Sequence, residues 1–296
     1  MDKRRRDFIV GSLLLGASAL LPKTLTAGSA KKQRYKVAVI DLMILKRQKL
    51  SAFDLAKEIK ADGLELDMGG LGNRDTFDSK LASLDQRQEF LKKSKETGVE
   101  ICSIAMTGFY AQSFAERPTY KQMVGDCLDT CRKMDVKIAF LPLGITGDLV
   151  EHPELRPAIV ERLKVVGDMA KKAGVVVGIE TALDAQGELE LLNDIGSKNI
   201  QIYFNFSNPL KQGRDLIKEL KILGRKHICQ IHCTDEDGVW LENNTRLNMP
   251  LVKETLDQMR WSGWLVIERS RDANLSPRMV KENFGANTRF MKEIFQ

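Results

Sequence analysis

Four polar side chains stand where apolar runs end in the second half of this 296-residue chain: Glu180, Asn205, His232 and Glu268. Glu180 closes a run of Val175, Val176, Val177 and Ile179, residues that suit a strand apolar on both faces. A carboxylate at the end of such a strand is costly to bury unless something pairs with it. Asn205 ends IQIYFN, His232 ends ICQIH and Glu268 ends WLVIE, at intervals of 25, 27 and 36 residues. Each interval holds one strand and one helix, which puts the four groups at similar heights in adjacent strands. Two carboxylates, an imidazole and an amide oxygen converging on one pocket suit a hard-to-borderline divalent ion, and such a cation would offset the desolvation of Glu180. Singly, each group has a local explanation: a glutamate can cap a helix, a histidine can be a bonded core residue, and Asn205 or Asn208 can close a turn. Four in register require a shared one.

The elements that must position them are legible from Tyr35 onward. Strand-like runs are YKVAVID, GLELDM, EICSIAM, KIAFLPLG, VVVGIETA, IQIYFNFS, HICQIHCTD and WLVIERS. Amphipathic stretches such as LRPAIVERLKVVGDMAKKAG and RDLIKELKILG lie between them, several closed by glycine. Counting the terminal PRMVKENFGANTRFMKEIF, eight strands alternate with eight helices. Eight such units in about 250 residues predict an α/β fold, a single (β/α)₈ TIM barrel. A doubly wound open sheet is the rival, but no GxGxxG follows the first strand and no linker divides the chain. Barrel sites sit at the C-terminal ends of the strands, where these four residues fall.

Composition excludes several function classes. A hydrophobic fraction of 43% with 29% charged residues is ordinary for a globular chain. The formal charge is +6, of which residues 1–30 hold +3 through Lys3, Arg4, Arg5, Arg6 and Lys23 against Asp2 and Asp7. The remaining +3 is scattered and does not point to nucleic acid. MDKRRRDF is a cationic leader, IVGSLLLGASALL an apolar segment shorter than a membrane span, and AGSA a small-residue cleavage site ending at Ala30. Residues 1–30 therefore read as a cleaved export signal, with 31–296 as the barrel and no stable membrane anchor after cleavage. Arg5-Arg6-Asp7-Phe8 resembles the twin-arginine pattern, which places the mature protein in the periplasm. The five cysteines lack CxxC spacing and read as buried thiols rather than a disulfide framework or a zinc site.

GIET, Asn205-Phe-Ser-Asn208, His232-Cys-Thr-Asp235 and SGWLVIE together resemble the sugar phosphate isomerase/epimerase family of xylose-isomerase-like barrels, in its exported branch. The resemblance implies one divalent ion (manganese, magnesium, cobalt or zinc) held by Glu180, Asn205, His232 and Glu268. It implies further that Glu180 and Glu268 flank a carbohydrate substrate and exchange a proton at a carbon beside a carbonyl. Three positions depart from the family pattern: Asn205 stands for the usual Asp, Thr234 for a Lys, and Asn248 near the place of an acid. The amide is expected to ligate through oxygen, more weakly than a carboxylate.

Further residues are expected at the substrate. Glu65 shares a face with Asp67 in GLELD and could bond a sugar hydroxyl, Asn208 follows Asn205, and Trp240 offers an indole that could stack on a sugar ring. His152 is expected to cap the next helix. The function implied is an exported metal-dependent isomerase or epimerase acting on a small carbohydrate. A lyase or hydratase on keto-sugars uses the same proton abstraction, and a catalytically weakened carbohydrate-binding barrel is the reading from another class. A DNA-repair role fits worst, since a three-metal nuclease site needs more than the three histidines present. A homodimer stays open.

Overall fold

The computed structural model describes residues 33–296. Eight parallel strands close on themselves in sequence order. They are β1 (Tyr35–Ile40), β2 (Gly63–Asp67), β3 (Glu100–Ala105), β4 (Ile138–Pro142), β5 (Val176–Glu180), β6 (Ile200–Asn205), β7 (Ile228–His232) and β8 (Gly263–Ile267). The (β/α)₈ expectation holds. Closure is made by β1 against β8, with Tyr35 through Val39 opposite Gly263 through Ile267.

Helices alternate with the strands: α1 (Ser51–Glu58), α2 (Leu84–Thr97), α3 (Tyr120–Lys133), α4 (Arg156–Ala173), α5 (Ala185–Ile195), the short α6 (Ser207–Lys211), α7 (Leu216–His227), α8 (Met249–Gln258) and α9 (Val280–Phe295). α6 is an addition to the eight expected helices; it starts two residues after β6 ends. Asp184, Asp215 and Asn248 cap α5, α7 and α8 by accepting backbone N–H bonds. Gly98, Gly174 and Gly196 end α2, α4 and α5 in the left-handed conformation, which glycine adopts without a Cβ penalty.

Apolar burial separates into two layers. Most of it lies between the sheet and its helices; a smaller group, including Ala38, Ile40, Phe140, Tyr203 and Val266, fills the barrel interior. Gly178 of β5 is required by this interior: a Cβ there would lie 2.6 Å from Cys229 Sγ and 3.1 Å from Tyr203 Cβ. The glycine that interrupts the β-branched run before Glu180 therefore makes room for the Tyr203 ring. Among the described residues no helix is long and apolar enough to cross a membrane. The export reading rests on residues 1–30, which lie outside the described residues.

Candidate active site

Glu180, Asn205 and His232 are the last residues of β5, β6 and β7, and Glu268 follows β8 directly. The register sets Asn205 opposite His232. All four are buried, the two glutamates at 7% exposure each. The structure brings them into hydrogen-bond contact. Asn205 Nδ2 donates to Glu180 Oε2 at 3.2 Å and to Glu268 Oε2 at 3.0 Å. His232 Nδ1 lies 2.9 Å from Glu180 Oε2 and 4.0 Å from Glu268 Oε2. Tyr110, from a short 3₁₀ turn after β3, donates its hydroxyl to Glu180 Oε1 at 3.2 Å. Among the described residues, Glu268 Oε1 has no hydrogen bond and lies 3.8 Å from Arg269 Nε.

The electrostatics follow from this crowding. Burial pulls the His232 imidazole toward neutrality, but Glu180, Glu65 and Glu268 outweigh it and push the pKa up to about 10. Burial raises the Glu268 carboxyl; His232 opposes that shift and Glu180 adds to it. Tyr110 is held well above the ordinary phenol range by burial and then by the two glutamates, so its hydroxyl stays a donor.

A second polar layer lies beneath. Glu65 is fully buried, and its Oε2 accepts from Ser103 Oγ and Tyr203 hydroxyl, both at 2.7 Å. Gln230 Nε2 donates to both of those hydroxyl groups, at 2.8 and 2.7 Å. Glu65 Oε1 points toward His232 Nε2 at 3.6 Å, and neither atom has a hydrogen bond. The expectation that Glu65 meets a substrate hydroxyl is therefore corrected. β2 ends at Asp67, so Glu65 sits two residues, about 6.6 Å, deeper in the barrel. Its neighbour is the histidine, not the cavity.

Above the four residues opens a cavity of about 290 Å³ whose lining includes Tyr110, Glu180, Asn208, Lys211, Glu268 and Arg269. Asn208 lies in the cavity wall, with Nδ2 bonded to the Thr181 carbonyl at 2.8 Å. Trp240 is not. Its Nε1 donates to Asn283 Oδ1 of α9, and the residue lines a different groove, with Glu58 and Arg289. The substrate-stacking role expected for it is corrected by that placement. His152 makes no capping bond either; it pairs with Glu154 at 3.2 Å. Tyr110, Lys211 and Arg269 were not singled out from sequence. The first comes from an irregular turn and Lys211 from α6, neither of which carries a periodic signal, whereas Arg269 adjoins Glu268 and could have been found there.

Whether these residues suit a divalent ion turns on Asn205. Its Oδ1 accepts from the Ser207 backbone N–H and from Ser207 Oγ, each at 2.9 Å. The oxygen expected to ligate is thus turned away, and an N–H₂ group faces the two carboxylates. Among the described residues no group of three acidic, histidine or cysteine side chains is placed to hold a metal ion. The donor set does not fit the four-ligand ion implied by the family pattern.

The family described as "Xylose isomerase-like TIM barrel" matches residues 53–294. Solved structures share the fold at low identity. D-psicose 3-epimerase of Clostridium cellulolyticum H10, determined with D-tagatose, is 14% identical with a TM-score of 0.68, covering 88% of this chain and 99% of its own. The 3-keto-D-glucoside 4-epimerase of E. coli is 16% identical with a TM-score of 0.68 and the same coverage of 88% and 99%. A sugar phosphate isomerase/epimerase of Parabacteroides distasonis is 13% identical with a TM-score of 0.66, covering 93% and 100%. No curated protein sequence matches the chain.

Proposed function

The chain belongs to the xylose isomerase-like TIM barrel family, and from that premise we propose that it is an isomerase or epimerase of a small carbohydrate, moving a proton at a carbon beside a carbonyl. The observation that carries the proposal is the pair of buried carboxylates, Glu180 and Glu268, at the floor of one cavity. Their surroundings differ: Glu180 receives hydrogen bonds from Tyr110 and Asn205 and contacts His232, while Glu268 keeps Oε1 free of hydrogen bonds. Two carboxylates in unlike environments can divide the work of proton removal and return. Glu268, with the free oxygen and the raised pKa, takes or gives the proton at the substrate carbon, and Glu180 serves the opposite face. Lys211 and Arg269 supply donors within the same cavity for the oxygen on which charge develops.

A volume of about 290 Å³ lies at the small end of the usual ligand-site range of about 300–1,000 Å³, which favours one sugar unit over an oligosaccharide. The D-psicose 3-epimerase above was determined with D-tagatose, one sugar unit, and the E. coli enzyme is named for a 3-keto-D-glucoside. Export by residues 1–30 remains part of the proposal, and with it a substrate met outside the cytoplasm, where sugar phosphates are scarce. The weakened sugar-binding barrel is kept as a second reading because Asn205 presents N–H groups where the family pattern has a carboxylate.

Proton exchange tests the proposal. The chain is incubated in D₂O with a panel of keto-sugars and keto-glycosides, once with Mn²⁺ and once with EDTA. Deuterium is expected at a single carbon of at least one panel member. An isomerase gives exchange in a product of unchanged composition, and a lyase gives exchange with loss of the leaving group. No exchange under either condition would turn the assignment over to the binding reading.

A further inference from the structure

We propose that the Asn205 carboxamide takes the place of a divalent cation between Glu180 and Glu268, so that this barrel holds its two carboxylates together without a resident metal ion. The argument begins at Ser207. Its backbone N–H is a donor and nothing else, and it points at one end of the Asn205 amide from 2.9 Å. Only the carbonyl end can receive it. The Ser207 hydroxyl lies at the same distance from that oxygen and adds a second bond. The orientation of the amide is thus fixed by hydrogen bonds from the first residue of α6, and the nitrogen with its two hydrogens faces the cavity floor.

What lies there are two acceptors, Glu180 Oε2 at 3.2 Å and Glu268 Oε2 at 3.0 Å. Two N–H groups meet two carboxylate oxygens, and the valences match. An aspartate at this position would behave differently. One of its oxygens could still accept from Ser207, but the other would face Glu180 and Glu268 with a lone pair and a share of a third negative charge. Three carboxylates converging in a buried pocket need a cation. The change of one oxygen for one nitrogen removes that need and sets donors in the cation's place. A metal ion approaching Glu180, Glu268 and His232 meets the positive end of the amide dipole. Turning the amide over would abandon the bond from the Ser207 backbone N–H and bring N–H against N–H, although the Ser207 hydroxyl could still accept. Asn205 is therefore a positioning residue: it holds the carboxylate pair through hydrogen bonds.

The inference stands apart from the proton-transfer reading, and its test contains no sugar. Mn²⁺ is titrated into the EDTA-treated, dialysed wild-type chain and into Asn205→Asp, with binding read calorimetrically and from loss of the free-Mn²⁺ electron paramagnetic resonance signal. Wild type is expected to show no saturable binding below about 1 mM and no change of Tm with EDTA. Asn205→Asp should bind at least about a hundredfold more tightly, with a Tm that rises on adding Mn²⁺. Saturable wild-type binding below about 1 mM, or an Asn205→Asp variant that folds and binds no more tightly, overturns the proposal. Should Asn205→Asp fail to accumulate as a folded protein, the wild-type titration decides by itself.

Discussion

Two pairs of buried carboxylates sit at strand ends of the barrel, and they are treated in different ways. Asp41 and Asp67, after β1 and at the end of β2, are sealed by protein donors. Asp41 accepts from the backbone N–H groups of Gln48 at 2.8 Å and Asp67 at 3.1 Å. Asp67 accepts from Arg47 Nε at 2.6 Å, from Gly69 N–H at 2.7 Å and from the Thr107 hydroxyl. All four oxygens are used, and both residues are fully buried. Glu180 has partners on both oxygens too, from Tyr110, Asn205 and His232, whereas Glu268 takes only the Asn205 amide on Oε2 and, among the described residues, no hydrogen bond on Oε1. The oxygen that no protein donor reaches is the one most available to a substrate. The first pair braces the barrel, and the second retains the capacity to move a proton.

The contrast breaks first, and most visibly, at Glu268. Glu268→Gln is expected to slow sugar proton exchange by at least about a hundredfold. Its Tm should move by less than about 3 °C, the shift about 1 kcal/mol gives a domain of this size. Normal exchange in this variant, or outright unfolding seen by circular dichroism, would place Glu268 with the bracing pair instead. In the other pair, Asp67→Ala strips Arg47, Gly69 and Thr107 of their acceptor and should destabilise the fold by about 3–5 kcal/mol, the usual result of breaking a buried charged pair. Denaturant unfolding measures this, while exchange per folded molecule stays as in wild type. A loss of exchange without a loss of stability would contradict the division. The smallest effect is expected for Tyr110→Phe, which removes one long hydrogen bond to Glu180. Exchange should fall about tenfold, equivalent to about 1.4 kcal/mol, with kcat carrying the loss rather than KM. A pure KM effect would show that the hydroxyl only contacts substrate.

The sequence and the structure agree where periodicity and topology decide. The spacing of Glu180, Asn205 and His232 was readable because each closes an apolar run, and a barrel has one place for strand ends. Depth was not readable: Glu65 and Asp67 share a face by alternation, yet the point where β2 stops leaves one at the rim and the other beside His232. Nor was the sense of the Asn205 amide, which depends on a backbone N–H that α6 aims at it. Trp240 lies in a loop whose direction no local pattern sets, and its indole found a partner in Asn283 on α9. Tyr110 escaped for a related reason, since the 3₁₀ turn that carries it has neither strand nor helix period.

The closure of the barrel by its first and last strands bears on how the chain comes to be folded. Tyr35 is paired with Gly263, 228 residues further on, so one flank of β1 has no partner until ribosomes have delivered almost everything else. Until then Val37 and Val39, both without solvent exposure in the finished barrel, belong to an open edge, which is a template for unwanted strand pairing. Contacts of such long separation also form slowly, because the loop they close must first be gathered in. The segment that precedes β1 is thus tethered to the strand that is completed last.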